Sequence, residues 1–110
     1  MDTLARLETT IAARLASGDP ASSYVASLQA RGLPVIARKL GEEAVETIVA
    51  ALSGNRQELV GEAADVLFHL LVLLGKKGVP LAEVLAELDR REGTSGIDEK
   101  ASRSRSDENA

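Results

Sequence analysis

Glu62-Ala63-Ala64-Asp65-Val66-Leu67-Phe68-His69-Leu70-Leu71-Val72-Leu73-Leu74 is the stretch on which the fold turns. From Val66 to Leu74 it is the longest apolar run in the chain, and only His69 interrupts it. No two-residue alternation marks it as a half-buried strand. A membrane span needs about 20 residues, so the run is too short to cross a bilayer. What remains is a helix that is apolar nearly all round, and such a helix must be covered on every side.

Working outward, this helix is predicted from about Arg56 to Lys76, with the turn Gly78-Val79-Pro80 after it and another helix over about Leu81 to Arg91. Before it, Pro34 suits the first turn of a helix that runs to about Leu52 and stops at Ser53-Gly54-Asn55. Its apolar residues fall in two stripes, Ile36, Leu40, Ala44, Ile48 and Ala51 in one and Val45, Val49 and Leu52 in the other. A short helix spans about Ser23 to Gln29, with Ser22 or Ser23 as N-cap and Gly32 closing it. The first helix covers about Thr3 to Ala16, with Leu4, Leu7, Ile11 and Leu15 at helical spacing, and ends at Gly18-Asp19-Pro20. The expected fold is therefore all-α, a bundle of five helices over residues 1–92. Residues 93–110 are rich in Gly, Ser and charge and read as a tail, disordered towards its end. Two helices with more than one apolar face exceed what so small a bundle can cover. Burying each large aliphatic side chain is worth about 1.5–3 kcal/mol, so a homodimer with a shared bundle is expected.

The bulk composition limits the chemistry. The chain has 110 residues, enough for one domain. Apolar residues make up 45%, but Tyr24 and Phe68 are the only aromatics, so the core is aliphatic. There is no cysteine, which excludes disulfides and thiolate metal sites and suits a reducing cytoplasm. No signal-peptide pattern marks the N-terminus. A net charge of −4 argues against a nucleic-acid binder, yet an acidic protein can still take a polyphosphate by recruiting a divalent cation.

Carboxylates cut into the two most apolar helices. Lys39, Glu42, Glu43 and Glu46 fall on one face of the third helix, and Glu62, Asp65 and His69 on one face of the fourth. Fifteen residues separate Glu46 from Glu62, room for a helix end, a tight turn and a helix start. An antiparallel pair would set the two acidic faces opposite each other. One cluster alone reads most readily as a solvated helix face. Two, at matching spacing inside apolar helices, are costly, because crowded carboxylates repel and resist desolvation. A hard divalent cation removes that cost. Four carboxylates, Glu43, Glu46, Glu62 and Asp65, suit magnesium, or manganese, far better than zinc.

The pattern E-x-x-E, turn, E-x-x-D resembles the all-α nucleotide pyrophosphohydrolase superfamily, which includes MazG-type enzymes and dimeric dUTPases. The likeness is closer to the phosphoribosyl-ATP pyrophosphatase family of histidine biosynthesis. Four stretches carry it: Ser23 to Leu28, Lys39 to Glu46, Glu62 to His69, and Thr94 to Lys100. Val25 departs from the family, which usually has Thr there. The resemblance implies a reaction, the magnesium-dependent hydrolysis of phosphoribosyl-ATP to phosphoribosyl-AMP and pyrophosphate. It implies metal binding at Glu43, Glu46, Glu62 and Asp65, and a carboxylate, Glu42 or Glu43, that orients or deprotonates the attacking water. It also implies substrate contacts from Ser23, Tyr24, Lys39 and Lys100. For Lys39 the competing reading is an ion pair with Glu43, one turn on. For His69 it is a hydrogen-bonded core histidine rather than a support for Asp65.

Two alternatives stay open at this level: a house-cleaning (d)NTP pyrophosphatase of the same superfamily, and a non-catalytic helical dimerisation module. A di-iron bundle is set aside, because it requires Glu-x-x-His on two helices and the lone His69 completes neither.

Overall fold

The computed structural model describes residues 2–93 and 103. Five helices follow in the expected order: α1 (Thr3–Ser17), α2 (Tyr24–Arg31), α3 (Leu33–Ser53), α4 (Arg56–Lys76) and α5 (Leu81–Arg91). Among the described residues there is no strand. The tail expected after residue 92, with Lys100 in it, lies outside the described residues apart from Gly93 and Arg103.

Local chemistry explains where the helices start and stop. Asp2, Ser23 and Asn55 each accept a hydrogen bond from a backbone N–H in the first turn that follows, those of Ala5, Ala26 and Glu58. Each cap is worth about 1 kcal/mol. Of the two serines considered for α2, Ser23 is the one that caps it. Gly54 ends α3 in the left-handed conformation, with φ at 80°, which glycine adopts without strain. At the α1–α2 corner, a Cβ on Gly18 would lie 2.6 Å from the Arg14 carbonyl oxygen and 2.9 Å from the Ala26 Cβ. Only glycine lets the two helices approach so closely there.

The core is aliphatic and comes from the first four helices. Ile11, Val25, Leu28, Ile36, Leu71 and Val72 form its centre, with Leu4, Leu7, Leu15, Phe68 and Leu74 among the residues packed around it. The α5 helix buries no residue fully. Its N-cap is Pro80, which has no side chain able to cap; instead Glu8 of α1 reaches over, and its Oε2 accepts from the Leu81 N–H at 2.7 Å.

The α3 and α4 helices, 21 residues each, are joined by Gly54 and Asn55 and run antiparallel. Their seam differs from the expected stripe. Ile36, Leu40, Glu43, Thr47 and Ala50 run along the inner side of α3 at intervals of four, three, four and three; of the expected stripe, Ala44 is also half-buried, while Ile48 and Ala51 are exposed. Alternating steps of four and three hold one face of a helix, whereas the expected stripe takes three steps of four in a row, each turning about 40° further round the axis. Small and polar residues therefore sit inside the lower half of the pair. Val45, Ile48, Val49 and Leu52 face outward, as do Val60 and Leu67 of α4.

Candidate metal centre

The seam between α3 and α4 delivers the carboxylates. One oxygen each from Glu43, Glu62 and Asp65 can be chosen so that all three lie within 4.8 Å of one another. Glu43 and Glu62 are half-buried and Asp65 is exposed, so the cluster opens to solvent on the Asp65 side. Thr47 steadies the turn that carries Glu43, its Oγ1 donating to the Glu43 carbonyl at 2.8 Å. Glu43 Oε2 and Glu62 Oε2 are shielded from solvent, and neither has a hydrogen-bond partner.

Shielded anionic oxygens at this distance repel strongly. The chain by itself has one relief, a proton. Sharing it with Glu43, and next with Glu46, pushes Glu62 up to about 7, and burial and the charges of the same two residues add to the rise. A divalent cation would relieve all three carboxylates at once. Three oxygen ligands with an open side fit magnesium, which keeps waters and accepts phosphate oxygens in its remaining positions. The donor set thus fits a hard cation on its own chemistry.

The other expected residues are distributed around this set. Glu46 is exposed and stands beside Glu62, outside the three-oxygen set. It lines a small hollow with Val49, Ala50, Glu58 and Glu62. Glu58 was not anticipated from the sequence, although it sits one turn before Glu62 and that spacing was there to be read. Glu42 does not join the cluster: Arg38 and Lys39 both hold it, each at 3.4 Å. The ion pair of Lys39 is therefore with Glu42, three residues on, and not with Glu43, whose carboxylate is turned into the seam.

Ser23 and Tyr24 part company. Ser23 is buried and committed to the α2 cap, so it places Tyr24 rather than offering a surface of its own. Tyr24 is about half exposed, and its hydroxyl lies 2.9 Å from His69 Nε2. The other ring nitrogen of His69 bonds the Asp65 backbone carbonyl at 2.7 Å, not the Asp65 carboxylate. His69 is thus a hydrogen-bonded, buried histidine. Lys100 lies outside the described residues.

A family model described as phosphoribosyl-ATP pyrophosphohydrolase matches residues 4–92. A protein of Novosphingobium aromaticivorans is 70% identical over 101 residues, which cover 92% of this chain and 94% of the relative. One from Rhizorhabdus wittichii is 67% identical with the same coverage. One from Erythrobacter litoralis is 67% identical over 103 residues, covering 94% of this chain and 98% of the relative. All three carry the name phosphoribosyl-ATP pyrophosphatase.

Proposed function

Because the chain belongs to the phosphoribosyl-ATP pyrophosphohydrolase family, we propose that it hydrolyses phosphoribosyl-ATP to phosphoribosyl-AMP and pyrophosphate, a step of histidine biosynthesis, at the carboxylate cluster between α3 and α4. The observation that carries the reading is the convergence of Glu43, Glu62 and Asp65 within 4.8 Å, with two shielded oxygens unpartnered. Such a set has a use only when a cation sits on it.

In this reading Glu43, Glu62 and Asp65 hold magnesium, or manganese, and Glu46 supports Glu62 from the adjoining turn. When bound, the ion would neutralise the charge that builds up as the pyrophosphate leaves. Glu43 is occupied as a ligand. Glu42, next to it in the chain but paired with Arg38 and Lys39 at the solvent edge, would orient the water and accept its proton once it swings out of those pairs. Lys39, paired with Glu42, keeps positive charge at that edge for the incoming phosphates. Tyr24 contacts the substrate beyond the phosphates, with Ser23 fixing where α2 begins. Lys100 is assigned to the phosphates from the family likeness of the Ser95–Lys100 segment alone.

The protein works as a homodimer in this reading. The outward stripe of Val45, Ile48, Val49 and Leu52 on α3 is the surface a second copy would cover. Among the described residues no helix is long and apolar enough to cross a membrane, and we place the enzyme in the cytoplasm, where no disulfide is needed.

The deciding experiment is release of pyrophosphate from phosphoribosyl-ATP, with and without magnesium, beside a panel of dNTPs. Magnesium-dependent turnover selective for phosphoribosyl-ATP is expected. Turnover of dNTPs with none of phosphoribosyl-ATP would overturn the substrate assignment.

A further inference from the structure

The outward face of α3 carries Val45, Ile48, Val49 and Leu52, all exposed. A two-fold pair is self-complementary: where residue i of one copy meets j of the other, j meets i. In a parallel pair of α3 helices each residue would face its own copy, and Arg38, Glu42 and Glu46 would each meet a like charge. An antiparallel pair avoids this. Only one antiparallel register sets each of the four apolar residues against another of the four. It places Val45 against Leu52 and Ile48 against Val49.

One turn past Leu52, the same register brings the α3–α4 corner of one copy against the turn before Val45 of the other, at Gly41 and Glu42. The two regions complement each other in charge and shape. The corner holds Arg56, beside Ala50 and Ala51 at the end of α3. Among the described residues Arg56 has no ion pair. Opposite it lies a hollow of about 620 Å³ lined by Arg38, Gly41, Glu42, Val45 and Glu46. Glycine in mid-helix costs helix stability, and a Cβ at Gly41 would meet nothing within 4 Å. The packing of the chain itself therefore does not call for glycine there, and the bare position leaves room for a side chain from outside. Glu46 has no cation from its own chain among the described residues, since Arg38 and Lys39 both hold Glu42.

We infer that each metal centre is completed across a two-fold interface, with Arg56 of the partner subunit seated over Gly41 and paired with Glu46. Glu46 stands beside Glu62, so the guanidinium steadies the carboxylate that supports a metal ligand. Arg56 is thus a positioning residue that acts in trans, and a single chain lacks it. The inference rests on the reading of Glu43, Glu62 and Asp65 as the site of hydrolysis.

The test reads register and activity separately. The chain has no cysteine, so introduced ones report which residues meet. On oxidation, Val45→Cys mixed with Leu52→Cys forms a disulfide-linked dimer, and neither does so alone. With phosphoribosyl-ATP, Arg56→Ala lowers kcat about tenfold, the worth of one charge-assisted hydrogen bond, and changes KM much less. The comparison is made at a concentration where the variant still sediments as a dimer. Arg56→Lys recovers most of the kcat. Arg56→Ala and Glu62→Gln, unfolded and refolded together, give mixed dimers in which one site has all its carboxylates and the arginine of the other chain. Activity then rises several-fold above the mean of the two proteins kept apart.

Val45→Cys or Leu52→Cys cross-linking to its own copy would overturn the register. No gain on mixing would show that Arg56 acts within its own chain or not at all, and would overturn the inference. A monomeric wild type, or one whose face is covered by a different protein, would do the same. A wild type that leaves phosphoribosyl-ATP intact would instead sink the proposed function, and the cross-linking pattern would still report the interface.

Discussion

Glu62 carries a proton that the unfolded chain would release near pH 4.5 and that the folded chain keeps to about pH 7, because Glu43 and Glu46 share it. The sign follows: the folded, metal-free protein binds the extra proton, so this contribution to stability is full below about pH 4.5 and is lost as the pH rises through about 7. Magnesium must displace that proton. Its affinity should therefore climb with pH up to about 7 and then level off, and calorimetry in buffers of different ionisation enthalpy should find close to one proton released per ion at pH 6 and almost none at pH 8. Glu62→Gln keeps the shape and removes the charge. It should lower turnover on the order of 100-fold while raising the melting temperature of the metal-free protein at pH 8. Loss of turnover without the gain in melting temperature would show that the carboxylates do not repel as placed. At this scale a spacing of three on a helix puts Glu62 and Asp65 together, and Glu43 meets them across the seam, whereas Glu46, at the same spacing from Glu43, stays outside the three-oxygen set. Spacing was a poor guide to Lys39. A long flexible side chain reaches i+3 as easily as i+4, and the choice of Glu42 was made by the seam, which draws Glu43 away.

Helix existence was legible throughout, since Asp2, Ser23, Asn55, Gly54 and Pro34 are cap and turn residues with local causes. What local chemistry does not encode is which face of α3 meets α4. That depends on which side of α3 the partner helix covers, and successive steps of four along the expected stripe carry Ile48 and Ala51 round to the outside. The inward position of Ile36, fully buried, gives a direct check: Ile36→Ala should cost about 2–5 kcal/mol in chemical denaturation, and Ile48→Ala well under half of that in the monomer. The start of α5 is the other feature that no local pattern reveals. Its cap comes from Glu8, 73 residues earlier in the chain. Removing it with Glu8→Ala should cost about 1 kcal/mol, and amide exchange should speed up within Leu81–Arg91 before it does in α3 or α4. Equal acceleration in all helices would mean that α5 does not open by itself.

At the scale of the whole molecule, the exposed apolar stripe on α3 asks for a second chain. Among the described residues Leu52 is the most exposed of the large aliphatics, at 84%. Leu52→Glu with Val49→Glu should shift sedimentation from dimer to monomer, and a wild type that already sediments as a monomer would refute the predicted assembly. The stripe was legible as surplus apolar surface, because five short helices cannot enclose two apolar ones. Its occupant was not, since composition records how much surface needs cover and not what provides it. The scarcity of aromatics has a practical side as well. The chain contains one tyrosine and no tryptophan, and that tyrosine is Tyr24, stacked on Phe68 and bonded to His69, whose other ring nitrogen bonds the Asp65 carbonyl. Its ultraviolet emission is therefore a built-in optical reporter. A titration with magnesium or nucleotide can be followed by fluorescence without any label, and the signal arises one hydrogen-bonded ring away from the backbone of Asp65.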